Sequence, residues 1–309
     1  MIALIFGASG QDGHYLTRSC NSRGIDVIGV SRSPGNWIQG DVSHYAQVES
    51  LVSAHQPDFI FHLAANSTTR HEALFENHQT IVTGALNILE AAQRHAPRAR
   101  IFIAGSGLQF RNSGKPISES TDFHATSAYG VARISAAYAA RYYRLRGLKT
   151  YLGYLFHHES SLRKASHVSM KIASAARSAG RGGDGSLQIG DPKVAKEWTF
   201  AGDVAEAMLT LVSQDNVFEA VIGSGETHTI LEWIEACYGE VGKPWQDFIS
   251  VENHFQSEYQ ALAADPRLIR SLGWKPQVSF SSLARAMVNS TDPITYAVPP
   301  GMDMKPALA

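Results

Sequence analysis

The five apolar residues Ile2-Ala3-Leu4-Ile5-Phe6 run without interruption into Gly7-Ala8-Ser9-Gly10-Gln11-Asp12-Gly13, and a helix-like segment follows at 14–23. An apolar run with no polar alternation suits a strand covered on both faces, the habit of parallel sheets. Glycines at the turn let the backbone fold tightly and approach a pyrophosphate, whose charge then meets the helix N-terminus. Strand, glycine turn and helix in this order predict a dinucleotide-binding unit. Its cofactor contacts are expected at Gly7, Ser9, Gly10, Gln11, Asp12 and Gly13. The spacing is G-x-x-G-x-x-G rather than G-x-G-x-x-G.

The alternation continues down the chain. A second strand over 26–30 ends in Ser31-Arg32-Ser33. An acidic residue there would accept from the ribose 2′-hydroxyl of NAD. A hydroxyl and a guanidinium suit a 2′-phosphate instead, so Ser31 and Arg32 favour NADP(H). Asp41 follows a short third strand and is placed to accept from the adenine amino group. Helices are expected over 43–55 and 79–95, the latter with Ile81, Val82, Ala85, Ile88, Leu89 and Ala92 at helical spacing. Between them the run 58–65 closes on Leu63, Ala64 and Ala65, where small residues let the cofactor pass. A strand over 100–105 sets Ser106 at its carboxyl end, where open α/β sheets bind their ligands.

Ser127-Ala128-Tyr129-Gly130-Val131-Ala132-Arg133 opens the next helix, which runs to about residue 146. Tyr129 and Arg133 are four apart and share one helix face. A cation one turn away favours the charged form of a phenol, which suits a proton donor or acceptor. With the Ser106 hydroxyl on the same substrate oxygen, these three residues form the expected catalytic set.

A strand over 148–156 completes a Rossmann-type doubly wound α/β pattern in residues 1–156. Beyond Phe156 the chain turns polar and basic, with helices expected at 168–179, 203–213, 231–241 and 265–276. Short strands at 187–189 and 218–222 suggest that 187–222 partly returns to the first sheet. Residues 157–292 then form mainly a smaller α/β substrate lobe, and 293–309 a Pro-rich tail, extended or disordered.

Of the 309 residues, 18% are charged and the net charge is −1, so nothing points to nucleic acid or membrane partners. Two distant cysteines, Cys20 and Cys237, and an N-terminus that enters a strand at once fit a reduced, cytoplasmic protein without signal peptide or spanning helix. The thirteen histidines show no metal-ligand spacing.

Several stretches resemble the extended short-chain dehydrogenase/reductase (NAD-dependent epimerase/dehydratase) family, in its GDP-mannose 4,6-dehydratase and GDP-4-keto-6-deoxymannose reductase branch. They are the glycine turn, Leu155-Phe156-His157-His158-Glu159-Ser160, Lys196-Glu197-Trp198, Gly223-Ser224-Gly225-Glu226-Thr227-His228-Thr229 and Leu272-Gly273-Trp274-Lys275-Pro276. The resemblance implies a GDP-sugar in the cleft between two lobes. It implies Ser67, His157, Glu159, Arg163, Lys171 and Lys196 as substrate contacts, and a homodimer paired through the helices at 79–95 and 129–146.

Three departures matter. The resemblance calls for Thr-Ser-Glu where this chain has Ser106-Gly107-Leu108, so the hydroxyl survives and the carboxylate does not. Arg133 replaces a lysine, and His157 an asparagine. Leucine cannot take a proton from C5, whereas reduction of a 4-keto group needs only hydride, Tyr129 and Ser106. The expected activity is therefore NADPH-dependent reduction of a GDP-4-keto-6-deoxy hexose or heptose bound for a surface polysaccharide or capsule. The alternatives are a GDP-mannose 4,6-dehydratase and a catalytically weak GDP-sugar/NADP-binding homologue.

Overall fold

Alternate residues of the first strand serve two separate cores. In β1 (Ile2–Phe6), Ala3 and Ile5 join one buried cluster, Leu4 and Phe6 another, as the two-residue repeat of a doubly covered strand requires. The computed structural model describes residues 1–252, 255 and 257–292. The tail expected at 293–309 lies outside the described residues.

The chain continues through α1 (Gln11–Asn21), β2 (Asp26–Ser31), β3 (Ile38–Gln39), α2 (Tyr45–His55), β4 (Phe59–His62), α3 (Leu74–Asn77), α4 (Gly84–His95), β5 (Arg100–Ser106), α5 (Ala128–Leu145) and β6 (Lys149–Leu155). It then forms β7 (His158–Glu159), α6 (Val168–Gly180), β8 (Leu187–Ile189), β9 (Ala195–Glu197), β10 (Thr199–Phe200), α7 (Ala201–Val212) and β11 (Glu219–Ile222). Last come β12 (Thr227–Thr229), α8 (Ile230–Glu240), β13 (Ile249–Val251), β14 (Ala261–Leu262), α9 (Arg267–Ser271) and α10 (Phe280–Asn289).

Seven strands make one parallel sheet in the order β11-β6-β5-β4-β1-β2-β3. This is a Rossmann sheet, as expected from the sequence. Its strand order reverses between β1 and β4, which opens a crevice at their carboxyl ends. Within 187–222, β11 returns to the sheet edge beside β6, whereas β8 pairs with β13 and β9 lies between β12 and β14.

One core lies under α2, α4 and α5. The other lies under α1 and α7 and continues into α6, α8 and α10. There the Trp198 and Trp233 rings stack at 4.4 Å between centroids, 10° from parallel, fixing α8 against the strand that carries Lys196.

Two elements differ from expectation. The helix expected over 79–95 is α-helical only from Gly84, and His78–Thr83 is a π-helical turn. The buried His62 ring reaches the Ile81 carbonyl at 3.3 Å (Nε2 to O), the kind of inserted side chain that interrupts a helical ladder. Near the C-terminus α9 is short, and α10, a helix not expected from the sequence although Phe280, Leu283, Ala284, Met287 and Val288 recur at helical spacing, packs against α6 and α8.

Candidate active site

At the crevice, Gly7 adopts φ +99°, and a Cβ there would lie 2.7 Å from the Ala64 nitrogen. Only glycine lets β1 turn this close to the end of β4. Gly10 precedes α1 without a side-chain cap, and a Cβ on it would meet nothing closer than the Gly7 carbonyl at 3.4 Å. The free N–H groups of α1 therefore face an open cleft of about 500 Å³. Ser31, Arg32, Asp41, Leu63, Ala64 and Ala65 line the same cleft. These residues fit a nicotinamide dinucleotide.

Ser9 and Ser31 hydroxyls are 2.6 Å apart. Arg32 donates to Glu76 at 3.0 Å and stays exposed. Asp41 accepts the Ser43 N–H at 2.9 Å.

Gln11 and Asp12 line the dinucleotide cleft, with their side chains bonded to the His158-Glu159-Ser160 stretch. Gln11 donates to the His158 carbonyl at 3.2 Å and accepts from the Ser160 hydroxyl at 2.9 Å. Asp12 Oδ1 lies 2.8 Å from His158 Nε2. Both side chains are spent on the His158-Glu159-Ser160 stretch, which leaves their backbone N–H groups at the start of α1 for a phosphate.

A second cleft of about 400 Å³ adjoins the first and shares Asp12, Leu63, Ser67, Thr68, Arg163 and His167 with it. Ser106, Tyr129 and Arg133 all open onto it. Ser106 ends β5, where its Oγ accepts the Leu108 N–H at 3.2 Å and its N–H donates to Gln109 Oε1 at 2.8 Å. Tyr129 sits in the first turn of α5, capped by Ser127, whose Oγ accepts the Gly130 N–H at 3.2 Å. The Arg133 guanidinium carbon is 5.0 Å from the Tyr129 ring centroid. Its Nη1 donates to the Ala104 carbonyl of β5.

Arg163 and Lys196 bring further positive charge to the same cleft. Arg163 Nε lies 2.8 Å from Glu159 Oε2, and Lys196 lies 4.6 Å from the Trp198 ring centroid. Burial opposes the Glu159 charge, but Arg163 and Lys196 outweigh it and hold the carboxyl below its usual range. Burial pushes the Lys196 ammonium down, with Glu159 opposing. Burial, then the nearby cations, keep His157 well below its ordinary value and His167 at about 4, so both rings are neutral. His157 Nε2 is 3.1 Å from the Tyr259 hydroxyl.

Lys171, expected as a substrate contact, lies apart from both clefts. It is exposed on α6. Ser169 lines the second cleft, and two residues further on a helix has turned about 200°. Sequence reasoning missed Arg70, His167, Glu258 and Tyr259, which also line this cleft. They come from loops and helix starts with no motif of their own.

The family model described as GDP-mannose 4,6 dehydratase matches residues 4–287. The chain belongs to the GDP-mannose 4,6-dehydratase family. It is 32% identical to GDP-mannose 4,6 dehydratase 2 of Arabidopsis thaliana, over 93% of this chain and 86% of that protein. The fold matches RMD from Pseudomonas aeruginosa, solved with NADPH, at TM-score 0.83 and 20% identity, covering 94% of this chain and 98% of that one. It also matches dTDP-glucose 4,6-dehydratase from Bacillus anthracis, solved with NAD, at TM-score 0.82 and 17% identity, covering 94% and 96%. Leu108, where the resemblance calls for a glutamate, lines the second cleft with Ser106 and Tyr129.

Proposed function

We propose that the chain is an NADP(H)-dependent enzyme acting at C4 of a GDP-bound hexose, in first place as a GDP-mannose 4,6-dehydratase. The observation that carries this reading is the meeting of Ser106 and Tyr129 in a cleft that Arg163 and Lys196 also line. Family membership supports dehydration over the 4-keto reduction expected from the sequence. Reduction is the second reading, favoured by Leu108.

Residues 1–156 hold the dinucleotide and 157–292 mainly the nucleotide sugar. The bound dinucleotide supplies hydride exchange with C4. Tyr129 takes or returns the proton on O4, and the Ser106 hydroxyl bonds the same oxygen. Arg133 holds the Tyr129 ring against β5. Arg163 and Lys196 neutralise the diphosphate, and His157 and Ser67 flank the sugar. The assembly is a homodimer: Val131, Tyr138, Tyr142 and Leu145 are exposed and recur at helical spacing along α5.

Incubation with GDP-mannose and NADP, and separately with the GDP-4-keto-6-deoxy sugar and NADPH, tests both readings. A 4-keto product in the first supports dehydration. NADPH consumption in the second alone supports reduction. If neither mixture reacts, or Tyr129→Phe changes nothing, the assignment fails.

A further inference from the structure

Loss of water from a 4-keto hexose begins with removal of the C5 proton beside the carbonyl, which requires a base within reach. After Ser106 the chain offers only Gly107 and Leu108. Three described carboxylates line the cleft: Asp12, Glu159 and Glu258. Two are matched by cations, Asp12 by His158 and Glu159 by Arg163, each at 2.8 Å. Glu258 has no cation paired with it among the described residues. Its Oε1 lies 3.4 Å from the Thr126 hydroxyl, which donates to it.

Position supports a chemical role. A third cavity, about 390 Å³, abuts the cleft, and Leu108, Glu258, Tyr259 and Leu262 face both. Glu258 and Leu108 thus stand at one partition. Thr126 directly precedes Ser127, the cap of the helix that carries Tyr129, so the Thr126 bond holds the carboxylate on the Tyr129 side.

We propose that Glu258 is the base that removes the C5 proton, supplying from the 257–262 segment the carboxylate that position 108 lacks. This rests on the reading that the chain acts at C4 of a GDP-hexose. The C5–H bond breaks and its proton passes to the Glu258 carboxylate. The electron pair forms a C4–C5 double bond while the carbonyl pair moves to O4, held by the Ser106 and Tyr129 hydroxyls. As the C4 carbonyl re-forms, a C5–C6 double bond forms and the C6–O bond breaks. The departing hydroxide takes the proton from Glu258 and leaves as water. One water is lost, no electrons are exchanged and the carboxylate is restored.

The test needs no redox turnover. The full chain is incubated in deuterated water with GDP-4-keto-6-deoxymannose, and exchange at C5 is followed by proton NMR. Glu258→Gln should slow exchange at least about 100-fold, Glu258→Asp should keep part of it, and calorimetric GDP affinity should stay within about threefold, since no charge contacting the nucleotide is altered. Exchange by Glu258→Gln at the wild-type rate overturns the proposal. So does a wild-type chain that transfers hydride in a Tyr129-dependent way without C5 exchange, an outcome that leaves the C4 reading standing. A chain that neither binds GDP-sugar nor transfers hydride overturns both.

Discussion

His158 Nε2 lies 2.8 Å from Asp12 Oδ1, joining the first turn of α1 to a residue 146 positions later. Burial disfavours both charges. Mutual attraction and the hydrogen bond outweigh it, so Asp12 is held below 3.8 and His158 above 6.5. The His158 contribution to stability is complete below 6.5 and fades as pH rises through its folded value. The Asp12 contribution is present above 3.8 and fades as pH falls through its folded value. His158→Gln keeps a donor but loses the charge. Denaturant melts should show it less stable by about 2 kcal/mol near pH 5–6, with the gap closing above neutral pH. A gap independent of pH would mean that shape, not charge, joins the two segments.

Arg32 is held by Glu76 at 3.0 Å on the rim of the dinucleotide cleft. A 2′-phosphate must compete with that carboxylate for the guanidinium. Arg32→Ala should raise the KM for NADP about tenfold or more while leaving NAD nearly unchanged, a loss of roughly 1.4 kcal/mol. Glu76→Gln frees the guanidinium and should lower the KM for NADP. Equal effects of both variants on NAD and NADP would remove Arg32 from cofactor choice.

What was legible in the sequence was local. The apolar run before Gly7 gave the strand, and Ser106 lay at the end of another, so their meeting followed from the sheet. The phase of α6 was not legible, because no motif fixes which residues after Val168 face the cleft, and Lys171 turned outward. The π turn at 78–83 needed the His62 ring from β4. Glu258 meets Thr126 across 132 residues, and no pattern near either residue announces it.

Arg133 is only 5% exposed, and its guanidinium spans the Tyr129 ring and the Ala104 carbonyl. An ammonium is a point charge and cannot serve both directions with a planar fork. Arg133→Lys should retain the charge and hold kcat within about tenfold, whereas Arg133→Met should lower it on the order of 100-fold. Hydride transfer measured in single turnovers separates this from product release. If the Met variant matches wild type, the cation has no part in proton transfer.

The stripe of Val131, Tyr138, Tyr142 and Leu145 leaves apolar side chains in water, with Leu145 at 89% exposure. Each fully covered side chain of this size is worth about 1.5–3 kcal/mol. Tyr142→Asp combined with Leu145→Asp should shift the chain from dimer to monomer in light scattering, with little change in circular dichroism because neither residue is in a core. A monomeric wild type would remove the stripe as an interface.

Leu108 and Glu258 allow a rescue experiment. A carboxylate introduced by Leu108→Glu would sit two residues after Ser106, in a half-buried position beside the same cleft. In an otherwise wild-type chain it adds a second negative charge near Glu258, and like charges at one site disfavour joint ionisation. The single variant should gain little or lose activity. In the Glu258→Gln background that repulsion is gone, and Leu108→Glu should restore C5 exchange by about tenfold or more over Glu258→Gln alone. Such a reversal of sign between backgrounds is the mark of two positions serving one proton. If Leu108→Glu acts alike in both backgrounds, the two sites are independent and Glu258 does not occupy the role that position 108 leaves open.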